Sequence, residues 1–599
     1  MAKVLAGDKS VFRVRRWLGL NENPDGDTQL AAGEAAEMRN FRVTRDGNLQ
    51  LRPGYRVTHG ERTWGAVRGV WTGRVGETET CVFASGGHLW SLEPETGAAQ
   101  QLGGLTLTDD DTHFFGFDGK LYALTGHEYA VWDGVNAVAA VEGYRPLVAV
   151  ATAPTGGGTQ LEQVNKLTGA RRVWLSPNGT AAAFQLPEAG LASVDYVRSR
   201  ATGANLAFTA NVTAGTVTLA AVPAAGTNSV EVGYTHGTSF RAQVEGMRVS
   251  ELFNGANDNR VFLCGDGSNR LLYSGLDYDG RARADYFPDL NVLDAGSANE
   301  PVTSVIRDGT RLDVFKTDSC YTVRYGTITL ESGAVTAAFY LAPASRAIGN
   351  DALGQTRIVN NCPRTLWGGA VYEWRSFANY ADDVDESQTR ALSGRVHATL
   401  SAMSLQGAVT FDDYTRQEYY ILEGGRAVVN SYATDTWFVY TDFPFGQLFL
   451  WRGGLYGCLP TGDIAHISRR YASDGGAAIS AFWRSGSLSF DAEWRRKYTP
   501  RIFVTMKPEP RGRVEVTART NRRGDYEKLA VSSGLATLAD ADFRRWSFGT
   551  NREPQTAKLN LRARKFTFLQ LVLESDTDWS SATIVSADIV LRRGGDVRN

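Results

Sequence analysis

The chain has 599 residues, 43% of them apolar, 11% aromatic and 21% charged. That is enough for about three to six domains with packed cores, and it excludes general disorder. Lys and Arg number 63 against 65 Asp and Glu, a net charge of −2, which excludes a globally basic nucleic-acid binder.

In chain order, the dominant pattern is strand, turn, strand, and the 64 glycines against 18 prolines suit tight turns between strands. Residues 1–60 form an N-terminal segment with a first hairpin. Met38–Val43 leads through Thr44-Arg45-Asp46-Gly47 into Asn48–Arg52, and Asp-Gly supplies the positive φ that a hairpin turn needs. Residues 61–150 repeat the unit at Cys81–Trp90, His113–Tyr122 and Tyr129–Gly134. A hairpin of this kind buries one face and needs neighbours, which is the logic of propeller blades.

Residues 151–240 break the pattern. They open on the turn-rich Pro154–Thr159 and continue in short alternating runs around Trp174, Phe184, Tyr196, Val217, Val232 and Tyr234, predicting an inserted immunoglobulin-like sandwich. Blade-like hairpins resume over 241–485, at Val261–Tyr273, Leu312–Val323, Thr365–Trp374, Glu418–Val429 and Leu448–Gly457. Within this part the pattern predicts one helix near 386–403. Asp385 caps it, Leu392, Val396, Leu400 and Met403 share a face, and His397 lies beside that face. Residues 486–599 carry clean strands at Arg501–Thr505, Arg513–Thr517, Phe566–Leu573 and Thr583–Leu591 and predict a C-terminal β-sandwich. The expected fold class is all-β: a β-propeller split by an inserted immunoglobulin-like sandwich and followed by a terminal sandwich.

Signatures of chemistry are missing. There is no Gly-x-Ser-x-Gly, no His-Glu-x-x-His and no Gly-x-x-x-x-Gly-Lys-Ser/Thr. Gly156-Gly157-Gly158 has no Lys after it and reads as a linker. The histidines, at 59, 88, 113, 127, 236, 397 and 466, show no local metal-ligand spacing. Five cysteines, Cys81, Cys264, Cys320, Cys362 and Cys458, contain no Cys-x-x-Cys pair and predict neither a disulfide framework nor a zinc ribbon, but folding in a reducing cytosol. No run approaches a membrane span, and Met1–Leu20 lacks an apolar signal core, so no membrane anchor is expected.

Asp25-Gly26-Asp27 and Asp277-Tyr278-Asp279-Gly280 do not continue to the Glu that closes an EF-hand. Asp109-Asp110-Asp111 and Asp382-Asp383 with Asp385-Glu386 read as solvated acidic runs. Tyr471–Gly476 is only a fragment of a sialidase box. Glu373, Asp412 and Asp413 are weak candidates for the paired carboxylates of a glycosidase. The expectation is a non-enzymatic chain with no catalytic, metal or cofactor-binding residues and no cofactor.

Charge is distributed unevenly. Residues 490–599 hold 21 Lys and Arg against 14 Asp and Glu, so the rest of the chain is acidic. The positive clusters are Arg495-Arg496-Lys497, Arg522-Arg523, Arg544-Arg545 and Arg562, Arg564 and Lys565, with a small N-terminal group of Arg13, Arg15 and Arg16. A basic end on an acidic body predicts an oriented contact with an acidic partner. Arg13, Arg15, Arg16, Arg495, Arg496, Lys497, Arg522 and Arg523 are the candidate contact residues.

The N-terminal region is the most specific part of the chain. It reads Trp17-Leu-Gly19-Leu20-Asn21-Glu22, then Gly33 to Gly47 with Met38, Asn40, Phe41 and Asp46, then Leu51-Arg52-Pro53-Gly54-Tyr55. This resembles the opening of tail proteins of short-tailed bacteriophages, the nozzle, tail tubular B-like or stabilisation proteins. The segments Asn211–Leu219, Ala225–Val232 and Ala582–Leu591 look like modules of phage structural proteins. The resemblance implies a β-propeller subunit, six copies of which form a ring below the adaptor and portal and make the distal channel through which packaged DNA leaves. The implied partners are further copies of the chain, the adaptor and portal proteins, tail fibres or spikes, and genomic DNA passing without sequence-specific binding. The implied location is the virion tail, assembled in the host cytoplasm. An acidic body suits a conduit that must not grip phosphates, so residues 1–489 are expected to line an electronegative channel. A propeller-type receptor-binding tail protein and a tail-borne glycan hydrolase remain the alternatives.

Overall fold

The computed structural model describes residues 9–23, 27–58, 63–237, 239–254, 260–329, 335–379, 384–509, 512–532 and 553–596. The chain is built almost wholly of strands and divides into two compact units. One comprises 68–92 and 99–356; the other comprises 1–67, 93–98 and 357–599.

The first of these contains four antiparallel sheets of four strands, each a meander in which sequence neighbours pair. Sheet 1 begins with Gly69–Val75, sheet 2 with His113–Phe117, sheet 3 with Val249–Leu252 and sheet 4 with Val302–Asp308. These opening strands lie successively against one another. Between sheets 1 and 2 the core holds Val82, Leu89, Leu121 and Trp132. Sheets 2 and 3 share Phe115, Tyr129, Val261 and Leu272, and sheets 3 and 4 share Phe262, Leu271, Leu312 and Val323. Sheets 2 and 3 therefore bury both faces because each has a neighbour on either side. The hairpin Phe117-Asp118-Gly119-Lys120 turns with φ of 47° and 69° at its two central residues, a twist that matches the flanking strands.

The same unit carries residues 147–236 as a five-stranded sheet and a three-stranded sheet. They enclose their own core of Val173, Leu175, Phe184, Val217, Val232 and Tyr234.

The other unit contains three further four-stranded sheets, opening with Arg357–Val359 (sheet 5), Val409–Asp413 (sheet 6) and Gln447–Trp451 (sheet 7). Sheet 7 takes its fourth strand from far away: Gly54–Val57 pairs with Ile464–Ser468, Tyr55 opposite Ile467. The remainder is a pair of six-stranded sheets.

Two expectations are corrected here. The N-terminal segment is not separate from the terminal sandwich. Lys9–Val14 pairs with Thr583–Asp596, Glu34–Arg39 pairs with Ile479–Ser485, and the hairpin Phe41–Val43/Leu49–Leu51 joins Thr583 and Ile584. Local alternation shows that a strand buries one face but does not say which partner buries it. The helix near 386–403 is also mostly absent. Val384–Ala391 is a strand on Ala370–Asn379, and only His397–Ser401 is α-helical after a 3-10 turn at Gly394–Val396. Val396, Leu400 and Met403 are buried, so the apolar spacing was real over the last turns. Upstream, pairing to a long neighbouring strand overrides it.

Candidate functional site

The chain leaves one sandwich sheet at Arg39 and enters the other at Phe41, and Asn40 makes the corner with φ of 57°, a conformation asparagine tolerates. Its side chain is fully used. Asn40 Nδ2 donates to Thr441 Oγ1 at 2.9 Å and to the Ser480 carbonyl at 2.7 Å. Its Oδ1 accepts from the Thr441 backbone N–H and from Arg52 Nε, both at 2.9 Å.

Arg52, whose side chain is wholly buried, is the centre of the cluster. It forks onto Asp474, with Nη1 to Oδ1 at 2.9 Å and Nη2 to Oδ2. It also donates to the carbonyls of Pro53, Thr441 and Asp442 at 3.1–3.3 Å. Burial pushes the Asp474 carboxyl above its ordinary range, and the Arg52 charge opposes that rise. The following Gly54 passes the Ser473 carbonyl so closely that a Cβ would stand 2.2 Å from its oxygen.

The other motif residues tie down the same segment. Glu22 accepts from the Thr399 backbone N–H at 3.0 Å and its hydroxyl at 2.6 Å, so it holds the start of the short helix His397–Ser401. Trp17 meets Trp483 edge-on at 4.8 Å. Leu20, Met38 and Phe41 are buried, Gly19 lies against Trp437, the Asn21 N–H bonds the Ala35 carbonyl, and Asp46 pairs with Lys507 at 3.2 Å. Glu22, Asn40, Arg52 and Gly54 with Trp17 thus form a latch joining residues 17–54 to sheets 6 and 7 and to the sandwich. The arrangement can hold a chain in place; it presents no reacting group.

Beside the latch lies a groove of about 1060 Å³, lined by Tyr55, Arg56, Arg470, Tyr471, Gly476 and Trp579 among others. Trp579 leaves 38% of its surface exposed. Arg469, also on the wall, is engaged by Glu509 at 3.0 Å. Arg56 and Arg470 are exposed and have no carboxylate partner among the described residues. Sequence reasoning passed over this groove. The Arg469-Arg470 doublet was visible, but Arg56 and Trp579 come from distant segments.

The candidate contact residues are dispersed. Arg13 faces Asp588 at 3.8 Å, and Arg15 and Arg16 are exposed, with Arg16 resting on Gly47. Arg495 is exposed and pairs with Asp596 at 3.4 Å, and Arg496 is half-buried. Arg522 and Arg523 are exposed, Arg523 lying over the Tyr526 ring at 4.9 Å. Lys497 is a correction: it is buried, its Nζ donates to the carbonyls of Ala492, Arg495 and Thr567, and burial pulls its pKa down to about 8. A strand buries alternate residues, so one member of a basic triplet points inward. Arg544 and Arg545 lie outside the described residues.

The carboxylates are largely engaged. Glu373 is buried between Arg364 at 3.4 Å and Arg375 at 2.7 Å. Asp413 receives Thr415, Arg416 and their backbone N–H groups in a turn. Asp412, pushed up to about 6 by burial, meets Tyr432. The run Asp109–Asp111 is not simply solvated. Asp109 takes a forked pair from Arg68 at 3.1 Å and Asp110 pairs with Arg248 at 3.0 Å, tying the starts of sheets 1, 2 and 3 together. Asp277 serves the turn N–H groups of Asp279 and Arg281 and the guanidinium of Arg283. Asp25 and Gly26 lie outside the described residues, as do Asp382 and Asp383. Among the described residues no group of three or more His, Cys, Asp or Glu side chains is placed to hold a metal, and no helix is long and apolar enough to cross a membrane.

No family model matches the chain, and no curated protein matches it. Among solved structures it is similar to the β-propeller domain of Cps50 (Swd1) from Myceliophteria thermophila, at 9% identity and a TM-score of 0.33, over 69% of this chain and all of that one. It is also similar to Hsv2 of Kluyveromyces lactis, at 10% identity and a TM-score of 0.25, over 59% of this chain and 97% of that one. An exo-β-1,3-galactanase from Phanerochaete chrysosporium gives 10% identity and a TM-score of 0.15, over 81% of this chain and 97% of the enzyme. Likenesses of this order leave the fold to be read from the strand order itself.

Proposed function

We propose that the chain is a structural subunit of the tail of a short-tailed bacteriophage, a nozzle protein that forms a ring, six copies in the reading favoured here, around the path of the outgoing DNA. In this reading the seven four-stranded sheets are the blades of one propeller. Its last blade is completed by Gly54–Val57 and its first half is interrupted by the sandwich of residues 147–236. The adaptor and portal proteins would sit above the ring and tail fibres or spikes beside it, and DNA would pass without being read.

The observation that carries the proposal is the N-terminal motif. Trp17, Glu22, Asn40, Arg52 and Gly54, from the segments through which the chain resembles the nozzle proteins, each fasten the N-terminal segment, and every side-chain polar atom of Asn40 and Arg52 is engaged. A motif kept for holding an architecture fits a structural subunit better than an enzyme. The engagement of Glu373 and Asp413 by neighbouring groups supports the same side. Electron microscopy of the purified chain together with antibody labelling of virions tests the reading. Rings of uniform size, and label on the tail, are expected. A chain that is monomeric at every concentration and absent from virions overturns it.

A further inference from the structure

The groove beside the latch is built wholly within one unit, and its walls are fixed before anything enters. The Gly54–Val57 strand pairs with Ile464–Ser468 along one edge. Along the other, the Tyr55 N–H donates to the Ser473 carbonyl at 3.1 Å and the Tyr55 carbonyl accepts from the Gly475 N–H at 2.9 Å. The loop that carries Ser473 and Gly475 is pinned again at Asp474 by the Arg52 fork. The segment Asp578–Ser581 is tied down at Ser580, whose hydroxyl donates to the Arg513 carbonyl at 2.6 Å and whose N–H reaches Thr577 Oγ1 at 3.2 Å. A site set in advance spends little on ordering when a ligand binds.

The lining mixes an aromatic face with both signs of charge. Trp579 leaves 38% of its surface exposed. With it on the wall are Arg56, Arg470 and Asp578, all exposed and none in an ion pair among the described residues. Glu509 adds a second carboxylate, already held by Arg469 at 3.0 Å and by Thr583 at 2.9 Å. A strongly anionic ligand meets Asp578 and Glu509 here, and a cationic one meets Arg56 and Arg470. An extended peptide finds no free strand edge at Tyr55, because both of its backbone groups are taken by the Ser473–Gly475 loop. What matches donors and acceptors set side by side is a ligand whose polar groups each do both, and a hydroxyl does. A pyranose ring carries such hydroxyls around its rim and presents an apolar C–H face that an indole covers. The groove, at about 1060 Å³, stands at the large end of small-molecule sites, a size for an oligosaccharide rather than a single sugar.

We infer that this groove binds a neutral oligosaccharide, with the Trp579 indole against the C–H face of one ring and Arg56, Arg470 and Asp578 on its hydroxyl groups. Binding of this kind needs the groove alone and not the ring.

The test applies the full chain to a printed array of neutral and acidic glycans, and then titrates the strongest neutral oligosaccharide by calorimetry at 0.15 M salt. Retention on neutral glycans is expected. Trp579→Ala is expected to lower the affinity at least about tenfold, and Arg470→Ala and Asp578→Ala each severalfold, with melting temperatures unchanged. Trp494→Ala, which removes an indole that is 63% exposed but lies outside the groove, is expected to bind as the wild type does. An array that retains nothing overturns the inference. So does retention confined to sulfated or carboxylated glycans, which would mark a plain anion site on the arginines. Affinity that survives Trp579→Ala, or falls equally with Trp494→Ala, overturns it as well.

Discussion

At the scale of single residues, the molecule separates groups that hold from groups that merely cost. Arg52 holds. Replacing it by Ala leaves Asp474 buried against backbone carbonyls with its only guanidinium gone, and Asn40 with an unanswered acceptor. Breaking a buried pair from one side costs about 3–5 kcal/mol. A fall of several degrees in melting temperature is therefore expected for Arg52→Ala. Arg52→Lys should rescue little, because a point charge cannot fork onto a carboxylate and serve three carbonyls.

Asp313 is the opposite case. It is buried on the strand Arg311–Lys316 of sheet 4, has Arg311 Nε at 3.0 Å but no hydrogen bond to either oxygen, and must share Arg311 with Asp308. Burial pushes its carboxyl from 3.8 up to about 7. The folded state thus holds this proton more tightly than the unfolded one. The cost is absent below about pH 4, grows as pH rises toward 7, and is complete above that. Asp313→Asn is expected to stabilise by about 1–3 kcal/mol at pH 8, from the size of such shifts, and by little at pH 4.5. Calorimetry across that range checks it; a difference independent of pH would refute the assignment.

Among elements, what could be read from the sequence was whatever is decided locally. The hairpin across Asp46-Gly47 stands where the Asp-Gly turn put it, with Thr44 and Asn48 closing it. The alternating runs read in residues 151–240 fall on strands around one core, which begins earlier, at Leu147. What was hidden is pairing between distant segments. Nothing local in Gly54–Val57 says that it finishes a sheet begun at Gln447. Nothing in Val384–Ala391 shows that a neighbouring strand will outbid helix propensity.

The hidden pairings make a prediction about termini. Removing residues 1–8 leaves every described strand in place. Removing residues 1–53 strips strands from both sandwich sheets and takes away Arg52, while Gly54→Ala forces a methyl into the Ser473 carbonyl. The first truncation is expected to be soluble with an unchanged melting temperature. The second should be insoluble or unfolded, and Gly54→Ala should be folded but clearly less stable. Circular dichroism and thermal melts distinguish these outcomes.

For the molecule as a whole, the sequence shows a near-neutral sum that conceals an acidic body and a basic end, and the structure shows how much of that charge is already spent. Arg68, Arg248, Arg52, Arg364 and Arg375 are tied to carboxylates inside their own units, and Lys497 to carbonyls. Arg15 and Arg16, Arg522 and Arg523, and Arg56 and Arg470 remain exposed, two by two on separate strands and turns. A duplex is gripped by several phosphate contacts at once, and each counter-ion released adds about one unit to the slope of log affinity against log salt. Small separate groups of cations on a net acidic chain make few such contacts at once. The assembled protein is therefore expected to retain no 30-base-pair duplex in a filter-binding assay at 0.15 M salt. At 0.02 M salt, where the Debye length is longer, any weak retention should vanish on adding 0.1 M salt and show no preference among sequences. Tight retention at 0.15 M with a steep salt slope would mean a surface built to hold DNA, and would exclude a conduit that must let it go.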